Sequence, residues 1–184
     1  MQAAYLREMC SRSNSRGLAR GRTDPALLLD SRLAFARQAA PASIPLEDAI
    51  ADHVLFRYSL HHMLPAAQRS LLAEALRVLK PGGDLTVVED SYGPAPALAG
   101  NNLTAGFEAM PSEADRLTAL SMLDASSCFV VPEEMPFTFS FCPAGTWVQI
   151  MKNAGFGEVR YKYWGFSMFS LYAAPMTVFT ARRL

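Results

Sequence analysis

The sequence predicts an α/β domain built on a mostly parallel sheet. Two apolar runs, HVLFRYSL (His53–Leu60) and DLTVVED (Asp84–Asp90), flank a stretch with apolar residues at helical spacing, and Lys80-Pro81-Gly82-Gly83 joins that stretch to the second run. Strand, helix, turn and strand in this order form a right-handed crossover unit, because parallel neighbours need a connection long enough to bring the chain back. The chain has 184 residues, 51% hydrophobic and 18% charged, enough for one domain with a true apolar core.

Residues 1–22 hold five arginines (Arg7, Arg12, Arg16, Arg20, Arg22) against one acid, Glu8, with Ser11, Ser13, Ser15 and Gly17 between them. This composition reads as a flexible Arg/Ser-rich arm over residues 1–25, with the domain proper at 26–184. A transit peptide, an anion-binding arm and a start that is not the natural one stay open. Ala26–Leu29, closed by Asp30, suits a brief buried strand. Ser31 suits the cap of a helix over Arg32–Ala40, whose apolar face is Leu33, Phe35, Ala36 and Ala39 and which Pro41 and Pro45 stop. An acidic loop, Glu47–Asp52, leads into a strand at His53–Tyr58.

Pro65 opens the next helix, where Leu71, Leu72, Ala75, Leu76 and Leu79 make one apolar stripe. Lys80-Pro81-Gly82-Gly83 is expected to end it, and Leu85, Val87 and Val88 form the middle of the following strand. From Ser91 to Cys142 the pattern weakens into a substrate-side insertion: a Pro/Gly loop, then a helix within Ser112–Ser126 turning Leu117, Leu120 and Leu123 inward. In PFTFSF, Phe137, Phe139 and Phe141 alternate with small polar residues, a period of two that suits an edge strand or lining segment. A helix at Pro143–Ala154 carries Trp147, Ile150 and Met151 and ends at Gly155. Strands at Glu158–Trp164 and Tyr172–Ala181 close the chain, and no internal repeat is visible.

Seventeen basic side chains balance seventeen acidic ones, which argues against a nucleic-acid binder. Cys10, Cys128 and Cys142 are too few for a disulfide scaffold, and no pair has zinc-site spacing, so no metal site and a reducing, cytoplasmic setting are expected. Trp164–Ala181 carries no charge, but Gly165, Ser167, Ser170, Pro175 and Thr177 with many aromatics fit a strand pair better than a membrane span. No apolar core follows the first basic residues, so no secretory signal is read.

Three segments, IPLEDAIADHVLFRYSLHHM, LLAEALRVLKPGGDLTVVED and TWVQIMKNAGFGEVR, match in order and spacing the later half of class I S-adenosylmethionine-dependent methyltransferases. The group resembled is the small-molecule enzymes of the ubiquinone/menaquinone-biosynthesis type, over Ile44–Leu184. The resemblance implies a Rossmann-like sheet of seven strands, six parallel and the last antiparallel, with cofactor at the carboxyl ends of the first strands. On that mapping His53–Tyr58 is the family's fourth strand, Leu85–Glu89 its fifth, and the final pair its sixth and seventh. The first strand and its glycine-rich turn are missing, since GLARG (Gly17–Gly21) has no strand before it and no clean helix after it. The third strand is also missing. The fold expected is therefore an N-terminally shortened one, which leaves the His53–Tyr58 edge for Leu27–Leu29, for a second chain, or unpaired.

Through the resemblance Asp30 is the acid for the cofactor's ribose, and Arg57, Tyr58, Ser59 and Leu60 line its methionine and adenosine portions. His61 and His62 stand at the mouth of the site. His61 is the candidate proton acceptor, and His62, Glu89 and Asp90 are substrate-side candidates; strand-end acids of this kind are ordinarily solvated. Phe107 and Phe139, with Met110, Phe137, Phe141, Trp164 and Phe166, are candidates for an apolar pocket. The function implied is methyl transfer from S-adenosylmethionine to a small apolar or aromatic metabolite. The alternative is a non-catalytic methyltransferase-like module that pairs with itself, as a homodimer through the sheet edge, or with a complete methyltransferase.

Overall fold

The computed structural model describes residues 40, 42–97, 101–128, 138–166 and 174–184. The readings made for the arm, for Ala26–Leu29, for the helix after Ser31 and for Asp30 lie outside the described residues, as do those for Phe137 and for residues 167–173. In chain order the elements are β1 (Ala51–Arg57), a 3-10 turn (Leu60–His62), α1 (Pro65–Val78), β2 (Leu79–Asp90), α2 (Asn102–Glu108), α3 (Glu113–Cys128), α4 (Ala144–Asn153), β3 (Gly157–Phe166) and β4 (Pro175–Arg182).

The four strands form one sheet in the order β1-β2-β4-β3. β1 and β2 run parallel, with Val54 opposite Leu85 and Arg57 opposite Val88. β4 is antiparallel to both its neighbours, pairing Val87 with Phe179 and Tyr161 with Phe179. The final strand thus inserts between the second and third, and it is the antiparallel one, as expected. Among the described residues β1 pairs with β2 alone.

The crossover unit forms as the stripe of α1 requires. Leu71, Leu72, Ala75 and Val78 are buried, and the first three make the principal core with Leu85, Val87, Phe179, Trp147 and Met151. α1 and α4 therefore sit on the same core, which follows from the 3.6-residue period of their apolar positions meeting the two-residue period of the strands. A second core gathers Tyr92, Phe107, Leu120, Phe141, Tyr163 and Phe166, so Phe107 is a core residue here, 2% exposed.

Several expectations are corrected. The helix stops at Val78, before Lys80-Pro81-Gly82-Gly83, and that tetrad lies inside β2. Leu79 already has extended dihedrals, and the Arg183 guanidinium donates to the carbonyls of Leu76 (2.9 Å) and Arg77 (3.1 Å), satisfying the helix end from another strand. Gly83 is required by close approach: a Cβ there would stand 2.9 Å from the Lys80 carbonyl oxygen and 3.1 Å from that of Asp52. The described part of PFTFSF, residues 138–141, forms no strand. Phe139 has φ of +48° and is 42% exposed, breaking the alternation. α2 had no counterpart in the periodicity; its local signal is Asn101, whose side chain accepts from the Leu103 N–H at 2.8 Å.

Candidate functional site

The parallel pair ends at Arg57 and Asp90, and the residues just past these ends come together. Tyr58 takes a left-handed conformation (φ +48°) while its N–H still donates to the Val88 carbonyl at 2.8 Å. This turns the chain sharply, and Ser59 and Leu60 then point their N–H groups at the Glu89 carboxylate, at 3.0 and 2.7 Å on Oε1. The other oxygen, Oε2, bonds His61 Nδ1. One buried carboxylate thus receives two backbone donors and an imidazole.

His61 is 1% exposed, Glu89 0%, Asp90 2% and Asp124 2%. The two acids at the end of β2, expected to be solvated, are buried. His61 Nε2 lies 4.0 Å from Asp90 Oδ2 and 4.0 Å from Asp124 Oδ1, and it has no hydrogen-bond partner among the described residues. His62 Nε2 is 3.9 Å from the same Asp124 oxygen. Phe141 stacks on the His61 ring at 4.8 Å between centroids, and Thr138 Oγ1 and Ser140 N–H both donate to the His61 carbonyl, at 2.6 and 3.2 Å. Ring plane and backbone are both fixed.

Burial opposes the imidazolium of His61, but the hydrogen bond to Glu89 and the charges of Glu89, Asp90 and Asp124 outweigh it, so its pKa stands above the ordinary 6.5. Burial also raises Tyr58, assisted by Asp90. The Cys142 thiol, whose carbonyl accepts from Ser91 Oγ at 2.8 Å, is pushed up to about 12 chiefly by burial. It is therefore no nucleophile at neutral pH.

Of the residues read from sequence, His61, His62, Glu89 and Asp90 lie together, with Ser59 and Leu60 adjoining through their backbone. Arg57 is exposed, its guanidinium carbon 5.3 Å from the Tyr58 ring centroid. Phe107 sits in the second core and Phe139 is largely outside. Asp124 was missed, because it comes from α3, far along the chain, and no spacing rule links it to His61-His62. Two surface grooves, of about 420 and 320 Å³, lie elsewhere. The larger borders Arg77, Gly155 and Arg183 at the opposite end of the sheet, and the smaller borders Asp84, Arg160 and Arg182 on its strands.

Comparison with known proteins gives these features a frame. Residues 8–87 match the methyltransferase domain family, a match that opens inside the segment read as an arm. A candidate methyltransferase of Bacillus halodurans shares the fold with a TM-score of 0.52 and 14% identity, over 83% of this chain and 78% of that one. An S-adenosylmethionine-dependent methyltransferase of Thermotoga maritima, suggested to be a histamine N-methyltransferase, gives 0.50 and 17%, over 86% of this chain and 69% of that one. No curated protein matches the sequence. The sheet, with its last strand antiparallel to both neighbours, is thus the fold these methyltransferases share, and residues 8–87 are similar to their family. Among the described residues, none of the helices is long and apolar enough to cross a membrane.

Proposed function

We propose that the chain transfers a methyl group from S-adenosylmethionine to an oxygen or nitrogen of a small, apolar or aromatic metabolite, with His61 receiving the acceptor's proton. The observation that carries this is the His61 Nε2 atom: buried, held in place through Nδ1 by Glu89, and without a partner among the described residues. The cofactor's sulfonium supplies an activated methyl group that already carries its leaving group, so the protein has to align, exclude water and remove a proton.

The residues at hand fit such a cofactor. Ser59 Oγ is buried without a hydrogen-bond partner among the described residues at the carboxyl end of β1, where the fold places ligands, and it is the group to hold a polar atom there. Tyr58, Leu60 and Arg57 would line the same turn. On the other side, Glu89 keeps the His61 proton on Nδ1, which leaves the Nε2 lone pair to accept from a hydroxyl or amine as it attacks. Asp90 and Asp124 stabilise the imidazolium that results. His62 and Phe141, whose ring stacks on His61, bias the acceptor towards apolar rings.

Isothermal titration of the purified chain with S-adenosylmethionine and with S-adenosylhomocysteine is the first test, and micromolar binding is expected. Ser59→Ala should weaken that binding. His61→Ala should leave it within twofold while lowering turnover by about 10²–10⁴-fold, the range for loss of a general base. A folded chain that binds neither compound would overturn the proposal.

A further inference from the structure

We infer that His61, His62 and Asp124 form a binding site for a divalent transition-metal ion. Their ligand atoms all lie within 4.8 Å of one another. His61 Nε2 and His62 Nε2 stand 4.0 and 3.9 Å from the same Asp124 oxygen, too far for hydrogen bonds and arranged around a common point. A tetrahedral zinc ion with bonds of about 2.0–2.1 Å spaces its donors about 3.3 Å apart, so each histidine need close on Asp124 by only about 0.7 Å and no pair of donors by more than about 1.5 Å.

Three independent features favour a metal over chance proximity. First, His61 is 1% exposed and its Nε2 has no partner among the described residues, so a buried nitrogen lone pair is aimed into the cluster. Second, its Nδ1 is bonded to Glu89, the carboxylate–histidine arrangement that fixes the tautomer and raises the basicity of a ligating imidazole. Third, the donors come from two separate elements, a rigid turn at the sheet edge and a helix, so neither local charge patterning nor a shared surface explains their meeting. Asp90, whose Oδ2 is 4.0 Å from His61 Nε2, is placed to serve as a further ligand or to neutralise the ion. Access runs past His62, whose side chain is 12% exposed. Two imidazoles and a carboxylate without thiolate suit zinc, cobalt, nickel or iron(II) rather than copper(I) or calcium.

The ion and a proton compete for the same lone pair, so saturating Zn²⁺ should lower methyl transfer at least tenfold; this consequence alone rests on the function proposed above. The site itself is tested without cofactor or acceptor. The full chain, stripped with a chelator, is titrated with Co²⁺ and followed by its ligand-field absorption. One equivalent is expected to bind with bands stronger than those of the aqueous ion, and Zn²⁺ should abolish them. Asp124→Asn, and separately His62→Gln, should each weaken binding at least tenfold. Circular dichroism confirms folding, and His62→Gln, the less buried change, serves if Asp124→Asn does not fold. An absence of bands in the wild-type chain, or unchanged affinity in a folded variant, overturns the site. Failure of methyl transfer leaves the cobalt result standing.

Discussion

At the scale of single residues, Glu89 does more than any other side chain to shape the site. A carboxylate accepts three bonds here, from Ser59 N–H, Leu60 N–H and His61 Nδ1, while fully buried. Glutamine at this position has one acceptor oxygen and brings two donors that face other donors. Glu89→Gln is therefore expected to destabilise the fold by about 2–4 kcal/mol, from loss of charge-assisted bonds and the buried groups left unpaired. Urea denaturation checks this, and a change under about 0.5 kcal/mol would mean that Glu89 does not hold the turn. The sequence made His61 and Glu89 legible as strand-end residues, but the burial of Glu89 and Asp90 was not legible. Elements that come later in the chain bury them, through Phe141 stacked on His61 and Asp124 on α3, and nothing local to β2 encodes that.

Among the elements, α1 is anchored at its C-terminal end by two arginines. Arg77 donates to the carbonyls of Leu46 (2.9 Å) and Ile44 (3.0 Å), to Asp48 (2.6 Å) and to Glu74, tying the segment before β1 to the helix. Glu74 in turn accepts the Ile44 N–H at 3.1 Å. The hydrogen bond from Arg77, with help from that N–H, lowers the Glu74 pKa from its ordinary 4.5 to about 2. A carboxyl depressed on folding contributes stability that is present above pH 4.5 and is lost as pH falls towards 2. The stability difference between wild type and Glu74→Gln, followed by urea midpoints, should hold steady at neutral pH and shrink across that window. A difference independent of pH would show that Glu74 is not coupled to its partners in this way.

Arg183 caps that same end of the helix, and Arg183→Met should cost about 1–3 kcal/mol by removing the donor shared by the carbonyls of Leu76, Arg77 and Leu79. Thermal melting reads this directly. These ties explain what the periodicity could and could not give. The stripe of α1 and the apolar runs of β1, β2 and β4 placed each element to within a few residues, because alternation and helical spacing are local properties. The end of α1 was displaced because a distant arginine satisfies its carbonyls, and residues 138–141 left the expected strand because the His61 carbonyl takes their donors.

For the whole molecule, the two cores differ in how they are secured. β2 and β4 lie inside the sheet, each paired on both sides, and Leu85, Val87 and Phe179 are fully buried between them and the helices α1 and α4. α2 and α3 rest on the second, aromatic core, with Met122 of α3 69% exposed and the Tyr163 hydroxyl reaching Glu108 at 2.8 Å as a tie from sheet to α2. Local opening free energies should follow this difference, since a segment with one packed face and exposed backbone opens without the rest. In native-state hydrogen exchange, amides of β2 and β4 are expected to be the slowest, and those of α2 and α3 to exchange at least about tenfold faster, equivalent to about 1.4 kcal/mol. The partition runs through the site: His61 and Glu89 belong to the slow frame, Asp124 to the faster helix. A ligand that bridges the two sides must therefore lower the opening of α3, and adding Zn²⁺ should slow α3 exchange while leaving β2 and β4 unchanged. Equal protection in α3 and β2 before any addition would show instead that the molecule opens as one unit, with the site formed in advance on both sides.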